Sequence, residues 1–382
     1  MSFLPFRRMI NLQQLLLLAG LSQACISADP ARQSAAAGGP AAMGSTPASG
    51  IASAPVAGQD SIAEKMLIYQ RAVGGWPKAV DNVKVDYKHP MTAAERARTL
   101  DDKSRKDATI DNNATTREIF YLAGAYQKTN NPAYRQGAEN GIRFLLKMQY
   151  ANGGFPQFYP DFSGYRHQIT YNDNAMVRVL ELLRNVATGT KQLTGLDPTL
   201  VPQAQAAVER GIDCILKTQY VRNGQLTAWC AQYDEKTLKP AKARAFELAS
   251  LSGDESVEIV RFLMGIEKPS EEVKKAIASA MAWFEKVKMK GFAMKEITAP
   301  DGKKVLDRVI VPDANSTIWA RFYDLETDRP IYVGRDSQVH YQLAEIEVER
   351  RAGYLYAGTW PAKLLEKDYP AWQKRVDGVA KK

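Results

Sequence analysis

FLLKMQYANGGFPQ (residues 144–157) and CILKTQYVRNGQLT (214–227) are two copies of one pattern, seventy residues apart, and a weaker copy, MLIYQRAVGGWPK, lies at 66–78. Each copy reads as a helical run ending at Gly or Asn-Gly, where glycine takes the left-handed conformation that stops a helix. A short loop with aromatic residues follows. Between the copies, apolar residues recur at helical spacing in TTREIFYLAGAYQKT (115–129) and DNAMVRVLELLRNVA (173–187). SGDESVEIVRFLMGIEK (252–268) opens on a cap and completes a third pair with the helical run that follows it. The unit is a helical hairpin of roughly seventy residues, repeated about three times, longer than the usual repeats of superhelical arrays. A mainly α fold is expected, an α/α toroid of hairpins, with an open all-α array as the alternative. Toward the C-terminus VLDRVIVPDA, PIYVGRDS and YLYAGTW read as short strands and loops, and VHYQLAEIEVERRAG as a helix. A smaller, irregular, β-containing region over one end of the ring is expected there.

Upstream of the repeats the chain opens MSFLPFRRMINLQQLLLLAGLSQACISA, with arginines, a short apolar run and small residues in the order of a secretory signal peptide over residues 1–28. Lipid attachment at Cys25 is the alternative, disfavoured by Ser22 where a lipoprotein signal prefers Leu. Residues 29–58 are mostly Ala, Gly, Ser and Pro, too poor in large apolar side chains to offset ordering entropy, and read as a linker. The folded domain is expected over 59–382, and no stretch within it is apolar enough to span a bilayer. The protein is expected outside the cytoplasm, secreted or periplasmic, as a monomer. There Cys214 and Cys230 are permitted but not required to pair, and Cys214 reads as a core thiol. The net charge of +9 favours anionic partners. Nucleic acid is disfavoured, because no basic helix or recognised binding motif appears.

Polar residues gather at two inner-helix starts, TIDNNATTREI (109–119) and ITYNDNAMVRV (169–179). Aligned, they set Asp111 and Asn112 against Asn172 and Asp173. One such residue caps a helix, whereas each start carries three. Equivalent helix ends converge on one mouth of a toroid, which would bring Asp111 and Asp173 together as hard oxygen ligands for Ca²⁺ or Mg²⁺. His89, His167 and His340 have no ligand spacing, which argues against zinc. Trp76, Phe155, Phe158, Tyr159 and Trp229 in the loops read equally as sugar-stacking or core residues. ARFYDLETDRPIYVGRDS (320–337) adds three arginines, Arg321, Arg329 and Arg335, around one turn.

With GGWPK, TIDNNATTREI, GGFPQFYP, YNDNAM, LTAWCAQYDEKTLKPAKARAFELAS and ARFYDLETDRPIYVGRDS in this order, the chain from about residue 62 to 375 resembles a pectate lyase of polysaccharide lyase family 10. The resemblance implies an (α/α)₃ toroid and Ca²⁺-dependent β-elimination on polygalacturonate. It implies Arg335 as the base, Arg321 and Arg244 as substrate-binding residues, and Asp111 and Asp173 as residues for the metal. Arg329 is read as structural. Guanidinium forks suit a chain of uronates, whose carboxylates they hold bidentately. The alternatives are a toroid hydrolase using Asp111 and Asp173 as its carboxylate pair, a binding protein for acidic polysaccharide, and a lyase of alginate or another uronan with His340 as the candidate base.

Overall fold

The computed structural model describes residues 58–298 and 306–380. The leader over 1–28 with Cys25, and the linker up to residue 57, lie outside the described residues. Three antiparallel hairpins build the fold. Helix α3 (Thr116–Thr129) packs on α4 (Pro132–Met148), α5 (Ala175–Thr188) on α6 (Leu200–Thr218), and α7 (Glu255–Met264) on α8 (Glu271–Val287). They are preceded by α1 (Ser61–Tyr69) and α2 (Ala93–Asp101). The inner helices α3, α5 and α7 touch in succession, as do the outer helices α4, α6 and α8. This is the expected (α/α)₃ toroid. Inner α7 is buried along eight of its ten residues, whereas outer α4 buries one stripe, Tyr134, Ala138, Ile142, Leu145 and Met148. Inner and outer helices approach closely at glycine. A Cβ on Gly141 would lie 2.5 Å from Ile119 of α3, and one on Gly211 2.3 Å from Leu180 of α5.

The repeated Gln of YQR, MQY and TQY stitches one hairpin to the next. Gln70 Nε2 donates to the carbonyls of Gly74 (2.7 Å) and Gly137 (2.9 Å), the latter in α4. Gln149 donates to Gly153 (3.0 Å) and Ala207 (2.8 Å) in α6, and Gln219 to Thr227 (2.8 Å) and Ala276 (2.9 Å) in α8. Removing a buried donor leaves carbonyls unsatisfied, at a cost of about 1–3 kcal/mol. Gln219→Leu is therefore expected to lower the unfolding free energy by about that much, read from urea titration. An unchanged midpoint and slope would show that the stitch contributes nothing.

One expectation is corrected and one open reading is decided. The helical runs do not stop at glycine: α1, α4 and α6 end on Gln70, Gln149 and Gln219 in extended conformation. The glycines follow in a turn, where Gly153 has φ +89° and a Cβ would lie 1.9 Å from the Arg210 carbonyl. Trp76, Phe155 and Trp229 are core, each fully buried. Trp76 Nε1 donates to Met66 O (2.7 Å) and Trp229 Nε1 to Ile215 O (2.8 Å), and Trp319 Nε1 repeats the contact with Phe284 O (2.8 Å). A buried indole N–H usually finds such a partner. Phe158 and Tyr159 are half-buried.

The C-terminal region is more regular than expected. Met289–Thr298 and Leu306–Ala320 form one long antiparallel hairpin, which Ala357–Gly358 extends. VHYQLAEIEVERRAG is α-helical only over α9 (Val348–Gly353), with a 3₁₀ turn at Leu343–Glu345, and Val339–His340 pairs as a strand with Tyr332–Val333. A last helix, α10 (Tyr369–Ala380), has no counterpart in the sequence reading.

Candidate active site

The three inner helices begin at one mouth, and their starts differ from ordinary caps. Asp111–Asn113 is a 3₁₀ turn with Asn112 at φ 50° and Asn113 at φ 64°, and Thr115 follows at φ 68°. Asn172–Asn174 repeats it, with Asp173 at φ 51° and Asn174 at φ 60°. Neither α3 nor α5 has a side-chain cap. Asn and Asp stand here because they tolerate the left-handed region, which larger side chains avoid. The paired φ values match the alignment of Asn112 with Asp173. The chain is held in this shape from behind, as Thr115 Oγ1 accepts from Trp76 N (3.0 Å) and donates to Thr109 O (2.8 Å).

Asp111, Asp173 and Arg321 come together at this mouth. Asp111 is buried, with one carboxylate oxygen on Lys78 and the other without a partner. Arg321, 7% exposed, forms an ion pair with Glu255 and lies 3.4 Å from Asp173 and 3.8 Å from Asp254. Its guanidinium covers the Tyr354 ring at 4.6 Å. Three carboxylates thus share one buried cation. Burial first, then Glu255 and Asp111, raise the Asp173 carboxyl against the pull of Arg321. Burial, Glu255 and Asp173 push Asp254 up to about 7.

This last shift fixes a stability prediction. A folded-state value near 7, above the ordinary carboxylate value of about 4, means that the fold disfavours the ionised form. The resulting destabilisation grows as pH rises from about 4 to about 7 and is complete above. In chelator, Asp254→Asn is expected to raise the Tm at pH 8, with the gain shrinking toward pH 4. An unchanged or lower Tm at pH 8 would refute the repulsion.

Arg244 and Arg335 form a separate exposed wing. Arg244 is held by both oxygens of Glu247, and Arg335 by Glu349 (Nη2 2.7 Å, Nε 3.1 Å), while the Glu347 carboxylate takes the Arg335 backbone N–H at 3.1 Å. Hydrogen bonding to these carboxylates raises both guanidinium pKa values, chiefly through Glu247 and Glu349. Both guanidinium groups lie against the Phe246 ring, at 4.8 and 5.1 Å. Arg329 stacks on Tyr341 at 3.6 Å, outside both clusters.

Sequence reasoning missed Asp254, Glu255, Lys78, Phe246 and Tyr354. The first two had a signal. SGDES opens the third inner helix at the positions that DNN and NDN occupy in the others, although by itself it reads as a cap alone. Arg321 had one too. AWCAQYDEKTLKP (228–240) and IWARFYDLETDRP (318–330) are copies of one turn. Asp234 accepts from Lys236 N, Thr237 N and Thr237 Oγ1, and Asp324 accepts from Glu326 N, Thr327 N and Thr327 Oγ1. Ala231 and Arg321 occupy equivalent positions, so one copy carries the cation and the other does not. His167 pairs with Glu235 and His340 with Asp336. Cys214 and Cys230 are buried free thiols.

The pectic acid lyase family matches residues 70–365. A solved mutant of the family 10 polysaccharide lyase from Cellvibrio cellulosa, in complex with trigalaturonic acid, shares 34% identity at a TM-score of 0.71. The similarity covers 81% of this chain and 92% of that one. A second structure of the family 10 polysaccharide lyase from Cellvibrio cellulosa is similar at 34% identity and a TM-score of 0.69, over 82% of this chain and 92% of that one. No curated protein matches. With the hairpin ring, its acidic mouth and these matches in agreement, the chain belongs to the pectic acid lyase family, among the family 10 polysaccharide lyases.

Proposed function

We propose that this polysaccharide lyase is a pectate lyase, cleaving α-1,4-linked polygalacturonate by calcium-assisted β-elimination with an arginine base and leaving 4,5-unsaturated oligogalacturonides. The observation that carries the reading is the convergence of Asp111, Asp173 and Arg321 at one mouth, with the Arg244–Arg335 wing presenting further guanidinium groups. The solved Cellvibrio relative in complex with trigalaturonic acid supports a polygalacturonate substrate.

The acidic mouth fits a hard cation. Its donors are all oxygen, Asp111 Oδ1 is buried without a partner, and the Asp173 anion is disfavoured by burial in spite of Arg321. Among the described residues no group of three or more His, Cys, Asp or Glu side chains stands ready to hold a metal alone. Asp111 and Asp173 would hold Ca²⁺ together with carboxylates of the substrate. When bound, Ca²⁺ supplies charge stabilisation for the substrate carboxylate as it takes on enolate character. Arg321, fixed by Glu255, adds a permanent positive charge beside it. The base removes the C5 proton, electrons move toward the carboxylate, and the C4–O bond breaks to give the double bond. The leaving oxygen takes up a proton.

Two arginines are candidates for the base. The resemblance implies Arg335. What supports Arg244 instead is its electrostatic neighbourhood. Tyr165, raised chiefly by burial, feels Arg244 together with Lys78 and Asp111, and Arg244 also acts on Tyr354, which feels Arg321 and Asp173. The largest charges acting on Arg335 are those of Glu349, Glu347 and Arg244. On this ground we propose Arg244 as the base and Arg335 as the second cation. Either must leave its carboxylate fork before it can accept a proton.

The enzyme is proposed to be secreted or periplasmic, on the leader read over residues 1–28. The deciding assay follows the ultraviolet absorbance of unsaturated uronide on polygalacturonate. Reducing ends without that absorbance would mean a hydrolase, and no turnover would mean a binding protein.

A further inference from the structure

A run of side chains that the proposed chemistry does not use joins the exposed wing to buried Arg321. The guanidinium carbons of Arg244, Arg335 and Arg350 lie 4.8, 5.1 and 3.9 Å from the centre of the Phe246 ring. Arg350 is also 5.4 Å from the Tyr354 ring, which Arg321 covers at 4.6 Å. Cation and ring therefore alternate from Arg335 to Arg321. Arg350 is 6% exposed, too deep to serve as a docking point for a polysaccharide. Its Nη2 donates to Tyr356 Oη at 3.1 Å, its Nε has no partner, and it enters no ion pair among the described residues.

A buried guanidinium without a carboxylate is costly, and an apolar side chain of similar volume would serve stability as well or better. The ring faces offset part of that cost, because a desolvated cation over an aromatic quadrupole is well bound. What the charge brings is geometry. Glu247 and Glu349 pin only one edge of each wing guanidinium, and long exposed side chains held at one edge keep much of their rotamer freedom. The Phe246 face supplies a second surface for both.

We propose that Phe246 and Arg350 are positioning residues for the elimination: Phe246 carries Arg244 and Arg335 on one ring, and Arg350 beneath it sets that ring relative to Arg321. This rests on the reading that the wing arginines act on the substrate. Misplacing a reacting group by about 1 Å costs on the order of 100-fold in rate, so a platform of this kind acts on kcat more than on affinity.

The test measures kcat, KM and Tm on polygalacturonate with Ca²⁺ for Phe246→Leu, Phe246→Tyr and Arg350→Met, beside Arg244→Lys and Arg335→Lys. Phe246→Leu is expected to lower kcat by about 10- to 100-fold, with a smaller change in KM and a small change in Tm. Phe246→Tyr, which restores the ring, is expected to recover kcat to within about threefold, and Arg350→Met to resemble Phe246→Leu. Folded Phe246→Leu enzyme with wild-type kcat would overturn the proposal, as would a Tyr variant no better than Leu. If Arg350→Met does not fold, the Phe246 pair still decides. Full turnover in both lysine variants would sink the arginine-base reading itself. Loss there with wild-type Phe246→Leu would sink only the platform.

Discussion

Arg244→Lys is expected to lose about 10²–10⁴-fold in kcat on polygalacturonate, the range general-base catalysis contributes, with a much smaller change in KM. Lysine keeps the charge but loses the planar fork and its two parallel hydrogen bonds. It also stands on a flexible stem that neither Glu247 nor the Phe246 ring can orient as they orient the guanidinium. Arg335→Lys is expected to act chiefly through KM, because a bidentate hold on a uronate is replaced by a point charge. The two variants are compared at saturating substrate and across alkaline pH. If Arg335→Lys loses turnover and Arg244→Lys does not, the base is Arg335, as the family resemblance implies. If both retain turnover, no arginine base operates.

Chelation is the second large effect. EDTA is expected to reduce turnover by at least about 100-fold, in line with several kcal/mol of charge stabilisation from a bound cation, and added Ca²⁺ to restore it. Asp173→Ala is expected to raise the Ca²⁺ concentration needed for half-maximal activity. It also removes one of the three carboxylates near Arg321, so its Tm is expected to hold or rise while activity falls. Asp111→Asn separates the parts of the site, because Lys78 would lose its anionic partner while the unpartnered oxygen position is kept. Activity insensitive to chelator would remove the metal from the mechanism. A Ca²⁺ requirement unchanged in both variants would move the cation away from this mouth.

These predictions draw unequally on sequence and structure. The ring of hairpins was legible because it is written locally and repeated. LKMQY and LKTQY mark successive outer helices, and apolar spacing marks the inner ones. What the local pattern could not convey was the purpose of its marker residues. Gln149 and Gln219 are stitches to carbonyls of the next outer helix, and nothing in MQY or TQY specifies a partner fifty-seven or fifty-eight residues away. Reading the glycines as helix stops applies the right conformational preference at the wrong place. Trp76 and Trp229 stay undecided between groove and core at the level of sequence, because a side chain's burial depends on what packs over it.

For the site, chemistry that resides in residue type was visible in the chain. Acidic residues at successive inner-helix starts, combined with the convergence a toroid imposes, bring Asp111 and Asp173 to one mouth from sequence alone. The arginines were conspicuous, and the family resemblance gave them roles. Their grouping emerges only on folding. Arg321 lies 148 residues from Asp173 and 66 from Glu255, and no periodicity links such distant positions. Burial then makes Arg321 a fixed charge within a carboxylate cluster, and exposure leaves Arg244 and Arg335, though paired with Glu247 and Glu349, open to a substrate. Local spacing and side-chain chemistry are enough to specify the repeating hairpin and the kinds of charge at its mouth. Which charges face one another, and which are desolvated, depended on closing the ring, because electrostatic strength is set by distance and dielectric rather than by order along the chain.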